Sequence, residues 1–246
     1  YWSEIGVFTT ASDKDEPFTF LYMTDSHIMN QAYVDDARMC ATAAAEYVPE
    51  ARFCVFPGDF VETGTNRNSE WEWERWFDEA LRPVIQQMPI VPTDGNHDDS
   101  ENLNYSYHFN TDNQFKENAR VKPQFDGTTY SFMYGDVLFM VYSLQDYWKG
   151  AYSLTSLTST YLTNDVGNWF RDQVQAHPEA KWRVALVHKN IFCGSSHQED
   201  EETPLFRATM LPIMKECEID LMLQGHDHCY EVIGPVNPDT QTPIKE

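Results

Sequence analysis

Basic side chains are scarce in this chain: 17 lysines and arginines face 39 aspartates and glutamates, for a formal net charge of -22. Binding to a nucleic-acid duplex depends on Lys and Arg displacing counterions from phosphates, so no duplex partner is expected. The plain consequence of the acidity is solubility. Long hydrophobic runs are missing too. No stretch approaches the roughly 20 apolar residues that cross a bilayer, so no membrane span is expected. The first residues, YWSEIGVFTTASDKDE, lack the basic start and apolar centre of a secretory signal, so the residues given carry no address of that kind. The five cysteines, Cys40, Cys54, Cys193, Cys217 and Cys229, cannot all pair within one chain. None forms a CxxC, which removes a zinc knuckle or a redox pair and leaves the compartment open. Cys40, in an alanine-rich helical run, and Cys54, in an apolar one, are expected to be small buried hydrophobes. There is no internal repeat and no low-complexity tract.

What remains is a chain of 246 residues, 41% hydrophobic, enough for one large core or two small ones. Strand-like apolar runs alternate with helical periodicity, the pattern of an α/β layered domain. The strand candidates are FTFLYM, RFCVFP, MPIVPT, YSFMY, VLFMVYS, WRVALVH and IDLMLQ. Amphipathic segments run from about Val34 to Val48, Glu70 to Met88, Val166 to His177 and Thr203 to Cys217. Thr203 is the expected N-cap of the last, with Pro204 in its first turn. Pro83 is expected to kink or end the second. Trp73, Trp76 and Phe77 fit a core-facing stripe better than an aromatic binding strip. SHQEDEET and NTDNQFKENARVKPQFDG read as loops.

The polar residues that follow the strands carry the chemistry. FTFLYM runs into Asp25 and His27, RFCVFP into Asp59, and MPIVPT into Asn96, His97 and Asp98. WRVALV ends on His188, and IDLMLQ runs into His226 and His228. Open α/β sheets bind ligands outside the carboxyl ends of their strands. Two imidazoles where a buried strand emerges cost stability unless something binds them, and five strand ends delivering such groups in one register point to a metal site. Gly58, Gly95 and Gly225 precede three of the clusters, where a sharp turn lets the backbone bring a side chain close to an ion. Carboxylate, amide and imidazole without thiolate suit iron, manganese or zinc. Seven ligands are too many for one tetrahedral ion, so two metal ions sharing a carboxylate are expected. Such a pair clamps the attacking and leaving oxygens of an in-line displacement at phosphorus and acidifies a bound water.

In order, DxH, GD, GNHD, a lone His and GHxH resemble the calcineurin-like metallophosphoesterase superfamily, over Asp25 to His228. The resemblance implies an α/β fold with a layered β-sandwich flanked by helices and a dinuclear metal site at the C-terminal ends of the strands. It implies that one ion takes Asp25, His27 and His228, the other Asn96, His188 and His226, and that Asp59 bridges. His97 is similar to the family's phosphate-contacting histidine, which stabilises the transition state or protonates the leaving oxygen, with Asp98 orienting it. The implied activity is hydrolysis of a small-molecule phosphate ester, most simply a monoester, by a metal-activated hydroxide. Two alternatives stay open: a phosphodiesterase acting on a lipid, nucleotide or cell-wall phosphate, and a non-catalytic binding or display module. A complete ligand set together with His97 stands against the second.

The stretch from His188 to Glu231 is similar to the purple acid phosphatase branch. There His197 falls where that branch places a second histidine near the substrate phosphate, beside Asn96. YWSEIGVFTT is similar to the closing strand of the fibronectin type III-like domain that precedes such catalytic domains. Residues 1–12 are therefore expected to end a preceding domain or linker and 13–246 to form the catalytic domain, with its C-terminal end left open. Exported proteins carry this branch, so a secreted or envelope-facing location is the expectation. Two positions depart from the branch. Glu62 stands where a metal-binding tyrosine is usual, which predicts a protein without the ferric-tyrosinate colour unless Tyr105 or Tyr107 reaches the metal. Lys189-Asn190 follows the lone histidine in place of x-Pro.

Overall fold

The computed structural model describes residues 5–12, 16–64, 66–98, 104–111, 127–144, 157–237, 239–240 and 242–243. Most of NTDNQFKENARVKPQFDG lies outside them.

Two sheets form the centre. The first is wholly parallel, β1 (Leu21–Tyr22), β2 (Cys54–Pro57) and β3 (Ile90–Thr93) in that order. The second pairs β4 (Tyr130–Tyr134) antiparallel with β5 (Val137–Val141), which runs parallel to β6 (Trp182–Leu186) and on to β7 (Leu221–Leu223). A small ribbon of β8 (Val236–Asn237) and β9 (Thr242–Pro243) follows. Every residue of β2 and β5 is buried, as strands covered on both faces require, and their sequences are accordingly near-continuous apolar runs.

Period-two alternation decides what each strand touches. Phe53, Val55, Phe139, Val141, Val184 and Leu186 share one cluster between the sheets. The intervening Cys54 and Phe56 pack on the other side with α1 (Gln31–Tyr47) and with the segment containing Trp73, Trp76 and Val84. Leu138, Met140, Ala185 and Val187 pack outward against α5 (Gly167–Ala176) and α6 (Glu202–Glu216) through Trp169, Phe170, Phe206 and Met210. The result is four layers, helix, sheet, sheet, helix. No helix among the described residues is long and apolar enough to cross a membrane.

Local chemistry explains where the elements differ from their expected bounds. α1 begins before Val34 because Asn30 caps it, accepting the amides of Ala32 and Tyr33. The second helical segment is interrupted: α2 (Glu70–Arg75) continues as a wider π-type turn over Trp76–Ala80, and α3 (Arg82–Ile85) restarts beyond Leu81. Pro83 sits in the first turn of α3, where a missing N–H costs nothing, so the interruption precedes it. Trp73 and Trp76 are fully buried and Trp71 is exposed, as the stripe requires. Truncating either buried indole would cost about 3–5 kcal/mol. Thr203 is not a cap: α6 starts at Glu202, and the Thr203 hydroxyl donates to the His197 carbonyl at 3.1 Å. Cys54 is buried as expected, but Cys40 is exposed, on the outer face of α1. The described residues also include α4 (Asn104–His108). There Tyr105 is buried against Phe60 and Phe109, while Tyr107 stands exposed.

Candidate metal centre

The loops after β1, β2, β3, β6 and β7 meet at one edge of the two sheets, and they bring the expected ligands within reach of each other. Ligand atoms of Asp25, His27, Asp59 and His228 lie within 4.8 Å of one another, and so do those of Asp59, His188 and His226. Asp59 belongs to both groups. Its Oδ2 is 3.3 Å from His27 Nε2 and 3.1 Å from His188 Nε2, and His188 Nε2 is 3.1 Å from Asn96 Oδ1. Asp25 Oδ1 stands 3.7 Å from His27 Nε2 and 3.5 Å from His228 Nε2. Two atoms bound at about 2.0–2.2 Å to a shared ion are separated by distances of this order.

Backbone conformation aims these groups. Six described non-glycine residues have positive φ, and five of them are the candidate ligands Asp25, His27, Asp59, His226 and His228. Each such residue costs on the order of 1–3 kcal/mol, tolerated where surroundings over-determine it. They do so here. Both oxygens of Asp25 accept the His226 amide, at 2.9 and 3.0 Å, and Asp59 Oδ1 accepts the His97 amide at 2.9 Å. Gly58 has φ +91°, and a Cβ there would sit 2.6 Å from the Gly95 nitrogen and 2.8 Å from His188 Nδ1. A Cβ on Gly95 would collide with the Asp59 carboxylate itself.

Whether the pocket suits an ion can be judged from two buried atoms. His27 Nε2 and Asp59 Oδ2 have no aligned hydrogen-bond partner although they lie side by side. Unpartnered buried polar atoms cost about 1–3 kcal/mol each, and a cation bound between two such atoms would relieve that cost. The far sides of the imidazoles are held. His188 Nδ1 donates to the Pro57 carbonyl at 2.8 Å, and His27 Nδ1 to Glu62 Oε2 at 2.7 Å, which turns both Nε2 atoms toward Asp59. The residues present therefore fit one or more metal ions with oxygen and nitrogen ligands.

Electrostatics agree. Burial disfavours a charged His27, but Asp25, Asp59 and Glu62 outweigh it and push its pKa up to about 11. Burial is outweighed in the same way at His188, where Asp59 and Asp25 push the pKa up to about 9. Burial would raise Asp59, yet His188, His27 and His97 hold it well below the usual carboxylate range. His226 goes the other way, down to about 2, through burial and the neighbouring His188, Lys189 and His197.

Three residues occupy places that the sequence reading did not assign. Glu62 is part of the site, its carboxylate on His27 and its carbonyl accepting from His97 Nδ1 at 2.8 Å. Asp98, expected to orient His97, instead accepts backbone amides: Phe60 at 2.9 Å and Val61 at 3.3 Å on Oδ1, Gly95 at 2.9 Å on Oδ2. It welds the loop after β2 to the loop after β3, because a buried carboxylate is satisfied by whichever donors surround it. Asp227, between two candidate ligands, is the third, and accepts amides of the loop that carries His197. The His197 ring stacks on His226 with centroids 3.9 Å apart, and its Nδ1 pairs with Asp200 at 2.8 Å. Residue type alone could flag Asp227, an acid flanked by two ligands. Nothing local could have aimed the Glu62 carbonyl.

Comparison with known proteins gives a consistent result. A family model described as calcineurin-like phosphoesterase matches residues 18–230. An uncharacterised protein of Mycobacterium tuberculosis is 23% identical over 262 aligned positions, covering 98% of this chain and 48% of the relative. Purple acid phosphatase 18 of Arabidopsis thaliana is 22% identical over 202 positions, covering 80% of the chain and 43% of the relative. Purple acid phosphatase 3 of the same plant is 36% identical over 62 positions, 25% of the chain and 16% of the relative. The chain spans about half the length of the first of these. Among solved structures, GAP50, described as the anchor in the inner membrane complex of Plasmodium, superposes with a TM-score of 0.53 at 15% identity, over 85% of this chain and 65% of that one.

Proposed function

Because the chain belongs to the calcineurin-like phosphoesterase family, with distant purple acid phosphatase relatives, we propose that it hydrolyses a phosphomonoester at a two-metal centre. The observation that carries this reading is Asp59, shared by two ligand clusters and left with an unpartnered buried oxygen. Asp25, His27 and His228 would hold one ion, Asn96, His188 and His226 the other, and Asp59 would bridge. When bound, iron, manganese or zinc supplies Lewis acidity toward phosphoryl oxygens and lowers the pKa of water.

The chain's own groups do the rest. His97 is half-exposed and commits Nδ1 to the Glu62 carbonyl, which leaves Nε2 to meet the phosphate and pass a proton to the departing oxygen. His197, with Nδ1 committed to Asp200, presents Nε2 beside His226 as a second donor to the phosphate. Asn96 adds an amide at the same edge. A monoester fits two imidazole donors around a group of high negative charge better than a diester does.

Turnover of p-nitrophenyl phosphate against bis-p-nitrophenyl phosphate, with added manganese, iron or zinc after chelator treatment, tests the proposal. Metal-dependent monoester hydrolysis that exceeds diester hydrolysis is expected. Preference for the diester would transfer the site to the phosphodiesterase alternative, and no turnover with any metal would leave a binding module.

A further inference from the structure

The proposed chemistry gives no role to a buried carboxylate lodged inside the metal-binding turn. Asp227 lies between His226 and His228 and is almost inaccessible. Its Oδ2 accepts the amides of Gly194 at 3.0 Å and Ser195 at 2.8 Å, and its Oδ1 accepts the amide of His197 at 3.2 Å. The Cys229 thiol is 3.5 Å from Oδ2. Three amides of one loop thus converge on a single carboxylate, and hydrogen bonds to an ionised acceptor are about twice as strong as neutral ones. An amide in its place could offer only one acceptor oxygen and would turn an NH₂ toward N–H donors.

The geometry on the other side of the turn gives this anchor its meaning. His226 groups with Asp59 and His188, and His228 groups with Asp25 and His27, so the flanking imidazoles face the metal centre while Asp227 faces the loop. That loop carries His197, whose ring lies on His226 and whose Nδ1 is held by Asp200. One three-residue turn therefore presents two candidate ligands and, between them, the clamp of the loop that meets substrate. We propose that Asp227 is a positioning residue that couples metal capture by His226 and His228 to the ordering of the loop from Gly194 to Asp200, fixing His197 for the phosphate. The coupling rests on the two-metal reading; the clamp does not.

Hydrogen exchange followed by mass spectrometry on the full chain, with and without manganese, tests both parts. In the unsubstituted protein the amides of Gly194, Ser195 and His197 should be protected, and manganese should slow them further. Asp227→Asn should exchange these amides about tenfold faster and make them insensitive to manganese. It should still bind manganese at unchanged stoichiometry, and raise KM for p-nitrophenyl phosphate more than it lowers kcat. His197→Ala should keep the amide protection; its loss there would assign the loop's order to the ring stack and overturn the clamp. Unchanged exchange in Asp227→Asn would overturn it as well. If that variant does not fold, the unsubstituted protein decides: bound manganese that leaves the loop's exchange unaltered refutes the coupling. Failure to take up manganese at all would instead sink the two-metal reading, with the clamp still judged by exchange without metal.

Discussion

Glu62 grips His27 through a 2.7 Å hydrogen bond to Nδ1, and its own carbonyl receives the Nδ1 proton of His97 at 2.8 Å. One residue thus orients a candidate metal ligand with its side chain and the candidate acid with its backbone. A carboxylate behind a ligating imidazole fixes the tautomer and raises ligand basicity, and losing such a partner costs about 10–100-fold in metal affinity or activity. Glu62→Ala should therefore weaken binding of manganese or zinc by that order, measured by titration calorimetry. Glu62→Gln, which still accepts a hydrogen bond, should recover part of it. Equal affinity in all three proteins would show that the contact does not orient His27.

His97→Ala should keep both metals and lose about 10²–10⁴-fold in kcat, the usual contribution of a positioned acid or base. The loss should shrink as the leaving group improves, because a good leaving group needs no proton. Rates on phenyl phosphate and p-nitrophenyl phosphate make the comparison. The same loss on both would assign His97 to holding the phosphate and not to proton transfer.

Gly95→Ala places a methyl group against both the Asp59 carboxylate and the Asp59 backbone nitrogen, so the side chain and the turn that carries it must shift. The substitution is expected to lower metal content and activity together, and the displaced backbone to lower the melting temperature as well. Elemental analysis beside a thermal scan measures both effects. Full metal content in this variant would mean that Asp59 does not need its present place.

Colour offers an independent check. The visible band of a ferric-tyrosinate centre needs a phenolate on the metal, and the position that supplies it in purple acid phosphatases carries Glu62, whose carboxylate has no such transition. Tyr105 is committed to the helical core and Tyr107 to the surface. Iron-loaded active protein should show no tyrosinate band; one that vanished on mutating either tyrosine would restore the ferric site.

The layers and the meeting of the candidate ligands at one edge were legible because they rest on strong, local signals. Continuous burial along Cys54–Pro57 and Val137–Val141 follows directly from their unbroken apolar runs, and each candidate ligand follows a strand whose end is set by a turn. What was not legible depends on partners distant in sequence. Asp98 and Glu62 could each have served His97 by residue type alone; only the approach of Phe60, Val61 and Gly95 amides decides that Asp98 is spent on backbone. Thr203 looked like a cap until its hydroxyl found the His197 carbonyl. Cys40 is exposed because it lies off the Val34, Ala41 and Ala45 stripe of α1, which its alanine-rich surroundings obscured.

The claim on which the rest depends is that Asp59 serves two ions at once. Asp59→Ala, purified beside the unsubstituted protein and analysed for manganese, iron and zinc after identical loading, tests it most directly. Two ions per chain in the unsubstituted protein, with the variant losing both and its phosphatase activity together, is the expected result. Two tightly held ions in Asp59→Ala would contradict it.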